Sequence, residues 1–447
     1  MNNALIAMPV IDFMETWRKT HRNSEVARLP NGSEVVLMGW LHEIRDLGSI
    51  KFLLLRDASG IAQVTIKRDA VDQSLLEKVS QITRESVIAV KGVVKKSEKS
   101  KLGVEVLPRE IKVLNLSKAP LPLDVTGKVP ADFETRMNSR FMDLRRPSES
   151  FIFKLQHEVL KAIREFLDER GFIEVITPKI LVSATEGGAE LFKVQYFERT
   201  AYLAQSPQLY KEVLTSCFER VYEIGVYFRA EESNTPYHLN EFVSVDIEAA
   251  FMDYKDVMKI LEECIVHVHQ HLKGECYEEL KKIHGDFKDP DVPFPIITYS
   301  EAIELLQRKG VNVRWGDDLT TPALRMLSKE YGGYYFIIDW PSETKPFYIK
   351  PHRDNDRICE SFDLMWRHIE LASGGSRIYL REELEENIKR KGLDIESFKE
   401  HLKVFDYGMP PHAGWGLGLS RLLMALAGRQ NIREVVLFPR DRTRLTP

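Results

Sequence analysis

Residues 220–250 read RVYEIGVYFRAEESNTPYHLNEFVSVDIEAA. Two β-rich runs flank a polar loop, Glu232–Asn240, so the stretch predicts an antiparallel hairpin. With a period of two, Glu223, Tyr227, Arg229 and Glu231 share one face of the first strand. On the second strand Phe242, Ser244, Asp246 and Glu248 do the same. A face carrying arginine, carboxylates and an aromatic ring is costly to bury unless it receives something polar and flat. Arginine offers a fork for phosphate oxygens, and a phenylalanine ring can stack on a base. A solvated hairpin face would carry similar residues, so the neighbouring segments have to decide.

Further along, 361–377 reads SFDLMWRHIELASGGSR. A two-residue turn at Arg367-His368 pairs Met365 with Glu370 and puts Asp363 two positions along on the same face. Two diagonal carboxylates suit Mg²⁺, which takes few carboxylates together with substrate phosphates; an ordinary charged hairpin is the alternative. Arg377, after the flexible SGG, can reach an anionic substrate. Residues 414–424, GWGLGLSRLLM, fail as a dinucleotide-binding GxGxxG because Arg421 stands at the third glycine. Glycines entering an apolar helix would instead present Arg421 beside a phosphate or a ring. Upstream, QSPQLYK (205–211) and TEGGA (185–189) are polar stretches, the first broken by proline ahead of a helix. Cys264, His267 and His271 fall at i, i+3 and i+7 of an apparent helix and could face a metal together. No fourth ligand is in view, and a plain helix surface accounts for them.

From Ser148, Leu155, Val159, Ile163 and Phe166 recur at helical spacing, with Gly171 as a C-terminal cap. Ala119–Pro130 is proline-rich and aperiodic, a linker. Before it, strands over Glu34–Glu43, Lys51–Arg56, Ile61–Lys67, Ser86–Lys95 and Val104–Leu114, with a helix near Asp72–Ile82, give the pattern of an OB barrel, a common reader of single-stranded nucleic acid. Residues 1–118 carry an excess of five positive charges and the remainder an excess of nine negative ones. That asymmetry suits a polyanion held at one end. Four scattered cysteines argue against a disulfide framework and fit a reducing, cytoplasmic setting. No apolar run reaches the ~18 residues of a membrane span, and the N-terminus lacks the basic start and cleavage site of a signal peptide. The expected class is α+β: an extension over 1–30, an OB barrel over 31–118, a linker over 119–147, and a domain over 148–447 built on an antiparallel sheet flanked by helices, with a helical insertion around 270–340.

Taken together, the segments resemble the class II aminoacyl-tRNA synthetases, and within them the short aspartyl type of archaea and eukaryotes. FIEVITPKI, with Pro178, is similar to the first class motif, at the dimer interface; FRAEESNTPYHLNEF resembles the second and GLGLSRLL the third. QSPQLYK resembles the aspartyl form, where asparaginyl relatives typically read QSAQLYL. The resemblance implies that Lys211 and Arg377 neutralise the substrate side-chain carboxylate. Glu186, Gln208 and Asp246, with Ser206 nearby, would hold its α-amino end. Arg229 would grip the α-phosphate of ATP, Phe242 and Arg421 would sandwich adenine, His238 would meet the γ-phosphate, and Glu231 would hold ATP or the tRNA 3′ end. Asp363, Glu370 and Ser373 would organise Mg²⁺. RDLGSIKF resembles the anticodon-reading strand, with Phe52 stacking the central base and Arg45, Gln63 and Glu105 contacting others. His42 is similar to enzymes that charge both tRNA(Asp) and tRNA(Asn), whereas Lys101 is similar to strict ones, which leaves tRNA(Asn) open. A homodimer acting on L-aspartate, ATP and tRNA(Asp) is implied. An asparaginyl enzyme and a non-catalytic RNA-binding relative are the competing readings.

Overall fold

Alternation of apolar residues closes the N-terminal strands into a barrel. In the computed structural model, which describes residues 17–98, 100, 102–182 and 191–447, the strands are β1 (Glu34–Asp46), β2 (Ile50–Arg56), β3 (Ile61–Lys67), β4 (Val87–Lys96) and β5 (Val104–Asn115). Leu37, Leu53, Leu55, Val64, Ile66, Val90 and Val106 fill one core, and the closed order β1-β2-β3-β5-β4 leaves no strand edge. The helix Gln73–Ser80 adds Leu75 and Val79. β1 runs three residues beyond its expected end, past a bulge where His42 lies between Leu41, paired with Leu55, and Glu43, paired with Leu54. Residues 17–30 are not a free extension. Trp17 is buried with the ammonium groups of Lys91 and Lys112 over its ring at 4.3 and 4.8 Å, and Val26 enters the barrel core.

The chain divides between Arg146 and Pro147. The stretch expected as linker belongs to the first unit and is partly ordered by its own contacts. Leu123, Val125 and Met142 form a small core, and the fully buried Arg140 pairs with Asp143 at 2.6 Å. Its prolines hid the short helices Phe133–Asn138 and Arg140–Asp143 from a periodicity reading.

The second unit carries β6 (Ile173–Glu174), β7 (Ile180–Leu181), β8 (Lys193–Tyr196), β9 (Arg199–Leu203), β10 (Arg220–Phe228), β11 (Glu241–Ala250), β12 (Ile296–Thr298), β13 (Tyr334–Ile338), β14 (Ser361–Trp366), β15 (Ile369–Ser376) and β16 (His412–Gly418). The main sheet runs β12-β13-β14-β15-β16-β11-β10-β6, and β7-β9-β8 forms a small one. Its centre is antiparallel as expected, but β12–β13 and β10–β6 at the two edges are parallel. Residues 270–340 are correspondingly not a purely helical insertion, because they supply β12 and β13 to this sheet. The run YYFII of β13 has no polar alternation because both faces are covered. Tyr334 and Phe336 join the core made with helices Pro147–Glu169, Tyr254–Glu275 and Leu419–Ala427. Tyr335 and Ile337 join a second core with helices Tyr299–Arg308, Thr321–Tyr331, Arg381–Arg390 and Lys399–Phe405. Between those covers the middle strands expose their polar residues to a cavity.

Candidate active site

The helix Gln208–Phe218 starts directly after Pro207, which has no N–H to satisfy, and Ser206 Oγ accepts from the Gln208 N–H at 3.2 Å. One turn in, Lys211 is 2% exposed. Its ammonium lies 3.0 Å from Asp246 Oδ1 and 3.4 Å from Glu248 Oε2, two carboxylates that β11 presents on one face. Arg377 reaches the same Glu248 from the end of β15, through Nε at 2.9 Å and Nη2 at 3.2 Å. Two cations from separate segments therefore converge on one buried carboxylate. Burial works against the charge on Arg377, but the bidentate Glu248 outweighs it and raises its pKa. Among the described residues Arg377 Nη1 meets no acceptor, and the buried Asp246 Oδ2 has no hydrogen-bond partner. Gly414 makes the arrangement possible, since a Cβ there would stand 2.2 Å from the Ile247 carbonyl oxygen and 2.3 Å from Glu248 Oε2.

Lys211, Asp246 and Arg377 line a cavity of about 450 Å³ together with Ser206, Gln208, Arg229, Glu231, His238, Phe242, Glu370, Ser373 and Arg421. Register explains part of that set. Tyr227 pairs with Phe242, Gly225 with Ser244 and Glu223 with Asp246, so the two strand faces do coincide as read. Two expectations are corrected. β10 ends at Phe228, so Arg229 and Glu231 lie in the loop, where the Asn240 side-chain amide donates to both their carbonyls. Glu223 turns away from the cavity and accepts from the Thr177 backbone and hydroxyl and from Lys179, which fastens the segment around the exposed Pro178. At the far end the Arg229 guanidinium sits 5.3 Å from the Phe242 ring centre. Arg421 donates to the Glu370 carbonyl at 2.9 Å, with His238 Nε2 3.3 Å from its Nη2. Burial pushes the Glu231 carboxyl up, against the pull of Arg229 and Arg421.

The Arg367-His368 turn does pair Met365 with Glu370, but a bulge follows and Asp363 faces Ser373 directly. Glu370 and Ser373, three residues apart, would point to opposite faces of a regular strand; the bulge at Leu371 lets both line the cavity. Asp363 is buried, and burial, with Glu370 adding to it, pushes its carboxyl up despite Lys345. Lys345 is the residue that sequence reasoning missed. Its ammonium lies 2.6 Å from Asp363 Oδ1 and 3.3 Å from Ser373 Oγ, over the Trp340 ring at 4.5 Å. A cation is thus already held by two of the three oxygen donors expected to hold Mg²⁺, which fits that donor set. Only the lysine of SETKPFY, in a loop without period, signalled it. Glu248 was read as a face residue but not as the shared anchor.

On the barrel, Arg45 pairs with Phe52 and Phe52 with Thr65. Thr65 donates to Glu105 at 2.8 Å, and Gln63 Nε2 lies 3.4 Å from the Thr65 hydroxyl. Those four expected anticodon residues share one face. His42 departs from it. It is 6% exposed, and the bulge directs its Nδ1 to within 3.6 Å of Glu85, which Arg56 and Arg145 also hold. Glu186 and Lys101 lie outside the described residues. The metal alternative on the long helix does not hold. Cys264 is core, its thiol pushed up to about 12 by burial, and His271 pairs with Glu158 at 2.8 Å. No group of three histidine, cysteine, aspartate or glutamate side chains placed to hold a metal occurs among the described residues.

Residues 132–442 match the model of class II tRNA synthetases of the D, K and N group, and residues 35–114 match the OB-fold nucleic acid binding domain. The chain belongs to the class II tRNA synthetases of that group. Among its relatives, this synthetase is 53% identical to an aspartate--tRNA(Asp/Asn) ligase of Archaeoglobus fulgidus, over 93% of this chain and 97% of that one. It is 49% identical to the ligase of the same name from Methanocaldococcus jannaschii, over 96% and 99%. Among solved structures, asparaginyl-tRNA synthetase of Pyrococcus horikoshii complexed with asparaginyl-adenylate matches at TM-score 0.92 and 35% identity, over 96% of this synthetase and 100% of that chain. Aspartyl tRNA synthetase from Entamoeba histolytica matches at 0.86 and 30%, over 99% and 95%. No helix among the described residues of the synthetase is long and apolar enough to cross a membrane.

Proposed function

We propose that this synthetase joins L-aspartate to tRNA(Asp), and to tRNA(Asn) as well, through an aspartyl-adenylate. The observation that carries the reading is the convergence of Lys211 and Arg377 on Glu248 at 3.4 and 2.9 Å. Two buried cations beside a cavity suit a substrate with an acidic side chain, to which the neutral amide of asparagine would bring no charge. The free Nη1 of Arg377 is the donor such a carboxylate would take. Asp246 Oδ2 and Gln208 offer acceptors for the α-ammonium, with Ser206 beside them. By its motif Glu186 is assigned the same end of the substrate.

At neutral pH the α-carboxylate is already a nucleophile, so no side-chain base is required. It attacks the α-phosphorus in line and pyrophosphate leaves. Arg229 holds the α-phosphate, His238 the γ-phosphate, and Phe242 and Arg421 the adenine, so catalysis rests on positioning and on charge stabilisation. Glu231 holds ATP or the tRNA 3′ end. Asp363, Glu370 and Ser373 would hold Mg²⁺, which when bound neutralises phosphate charge. The terminal 3′-hydroxyl of tRNA then attacks the carbonyl carbon of the adenylate, the acyl–phosphate bond breaks, and AMP leaves with release of the hydroxyl proton. Phe52, Arg45, Gln63 and Glu105 read the anticodon. His42, turned towards Glu85, leaves the barrel without a strict-type aromatic at that position, and the relatives' names support use of both tRNAs; Lys101 is the residue that pulls the other way. A second copy covers the exposed apolar strip of Ile173, Ile176, Ile180 and Val182, the second of which is 94% exposed. Aspartylation of purified tRNA(Asp) and tRNA(Asn) side by side tests the reading. Charging of both is expected; charging of neither overturns it, and charging of tRNA(Asp) alone removes only the relaxed part.

A further inference from the structure

Gln208 reaches the cavity with only one of its two amide atoms at liberty. Its Nε2 lies 2.6 Å from Glu212 Oε1, one helical turn along the same helix. Glu212 is fully buried and does not line the cavity. Its other oxygen faces two histidines, His401 Nε2 at 3.5 Å and His412 Nε2 at 3.7 Å, the second anchored by an Nδ1 contact of 2.8 Å with the Pro410 carbonyl. Those neighbours keep the carboxyl well below the usual carboxylate range in spite of its burial. An ionised carboxylate only accepts hydrogen bonds, so the Gln208 amide has one orientation open to it: NH₂ towards Glu212, carbonyl oxygen towards the cavity. Without such an acceptor the amide could rotate and present donors to the substrate instead.

We propose that Glu212 is a positioning residue: by holding the amide nitrogen of Gln208 it aims Gln208 Oε1 into the cavity, and so makes that corner select the α-ammonium of the amino acid. The inference rests on the reading above that Gln208 meets the ammonium. It assigns Glu212 a role through Gln208 and no contact with substrate.

Glu212→Met, which keeps length but removes the acceptor, is compared with Glu212→Gln, whose side-chain carbonyl can still accept. ATP–pyrophosphate exchange gives KM for aspartate and for ATP, and succinate, which lacks the ammonium, serves as a competitive probe. Glu212→Met is expected to raise KM for aspartate about tenfold, with kcat, KM for ATP and the succinate inhibition constant changed by less than about threefold. Glu212→Gln is expected to stay within about threefold of the parent throughout. In the double variant Gln208→Met/Glu212→Met, KM for aspartate is expected to equal that of Gln208→Met alone. Equal losses for aspartate and succinate, or additive losses in the double variant, would show a merely structural part and overturn the proposal. If Gln208→Met alone leaves KM for aspartate unchanged, the reading of Gln208 is what fails.

Discussion

Glu248 is the pivot at the scale of single residues. It holds Arg377 in two hydrogen bonds and faces Lys211 across 3.4 Å, so both side chains are fixed before any substrate arrives. Lys211→Leu leaves Asp246 and Glu248 short of a buried counter-charge, a change that costs about 3–5 kcal/mol when a buried pair is broken. Aspartate-dependent exchange is expected to fall at least a hundredfold or so, measured on protein whose melting transition is recorded alongside; undiminished kcat/KM would give the lysine another role. Gly414→Ala is expected to destabilise the synthetase by about 1–3 kcal/mol in urea unfolding, because its Cβ would meet the Ile247 carbonyl and Glu248; an unchanged midpoint would mean that β11 and β16 separate easily. QSPQLYK and SGGSR disclosed the two cations only through their resemblance to the family's segments, since neither stretch is unusual by itself. Lys345 stayed hidden because a lone lysine in a loop looks solvated until Asp363 and Trp340 are seen around it.

Among the elements, periodicity carried the barrel and the hairpin, and departures from it carried the surprises. The bulge at Leu371 turns both Glu370 and Ser373 to the cavity, and the bulge at His42 turns that side chain to Glu85. A period of two has no means of announcing an extra residue, so neither was legible. Segment 17–30 escaped for a related reason, since it has no period and docks through single contacts. Asp57 is the main one. It accepts from Lys19, the Asn23 N–H and Ser59. Burial alone would raise its carboxyl; these donors outweigh burial and hold it at about 2. The folded pKa is thus below the unfolded one, and the contribution is present above roughly pH 4 and lost as pH falls towards 2. The urea midpoint of Asp57→Asn is expected below that of the parent at pH 6, with the gap closing between about pH 4 and pH 2. A gap that stays constant would mean the charge on Asp57 does not hold the segment.

For the whole molecule, the charge asymmetry of the two parts was visible in composition, and the resemblance of the motifs implied that one part reads RNA while the other handles amino acid and nucleotide. What composition hid was that 119–146 belongs with the barrel unit and that 270–340 completes the main sheet, because contacts distant in sequence decide both. If the barrel serves recognition, Phe52→Ala removes a stacking partner worth about 1–3 kcal/mol per base. It is expected to lower kcat/KM for tRNA while ATP–pyrophosphate exchange stays unchanged; loss of both would mean the barrel supports folding instead. The most direct measurement is that exchange reaction in the parent protein without tRNA, run with aspartate and with asparagine. Exchange with aspartate and none above background with asparagine is predicted from Lys211 and Arg377 beside Glu248, and exchange driven by asparagine would contradict the account.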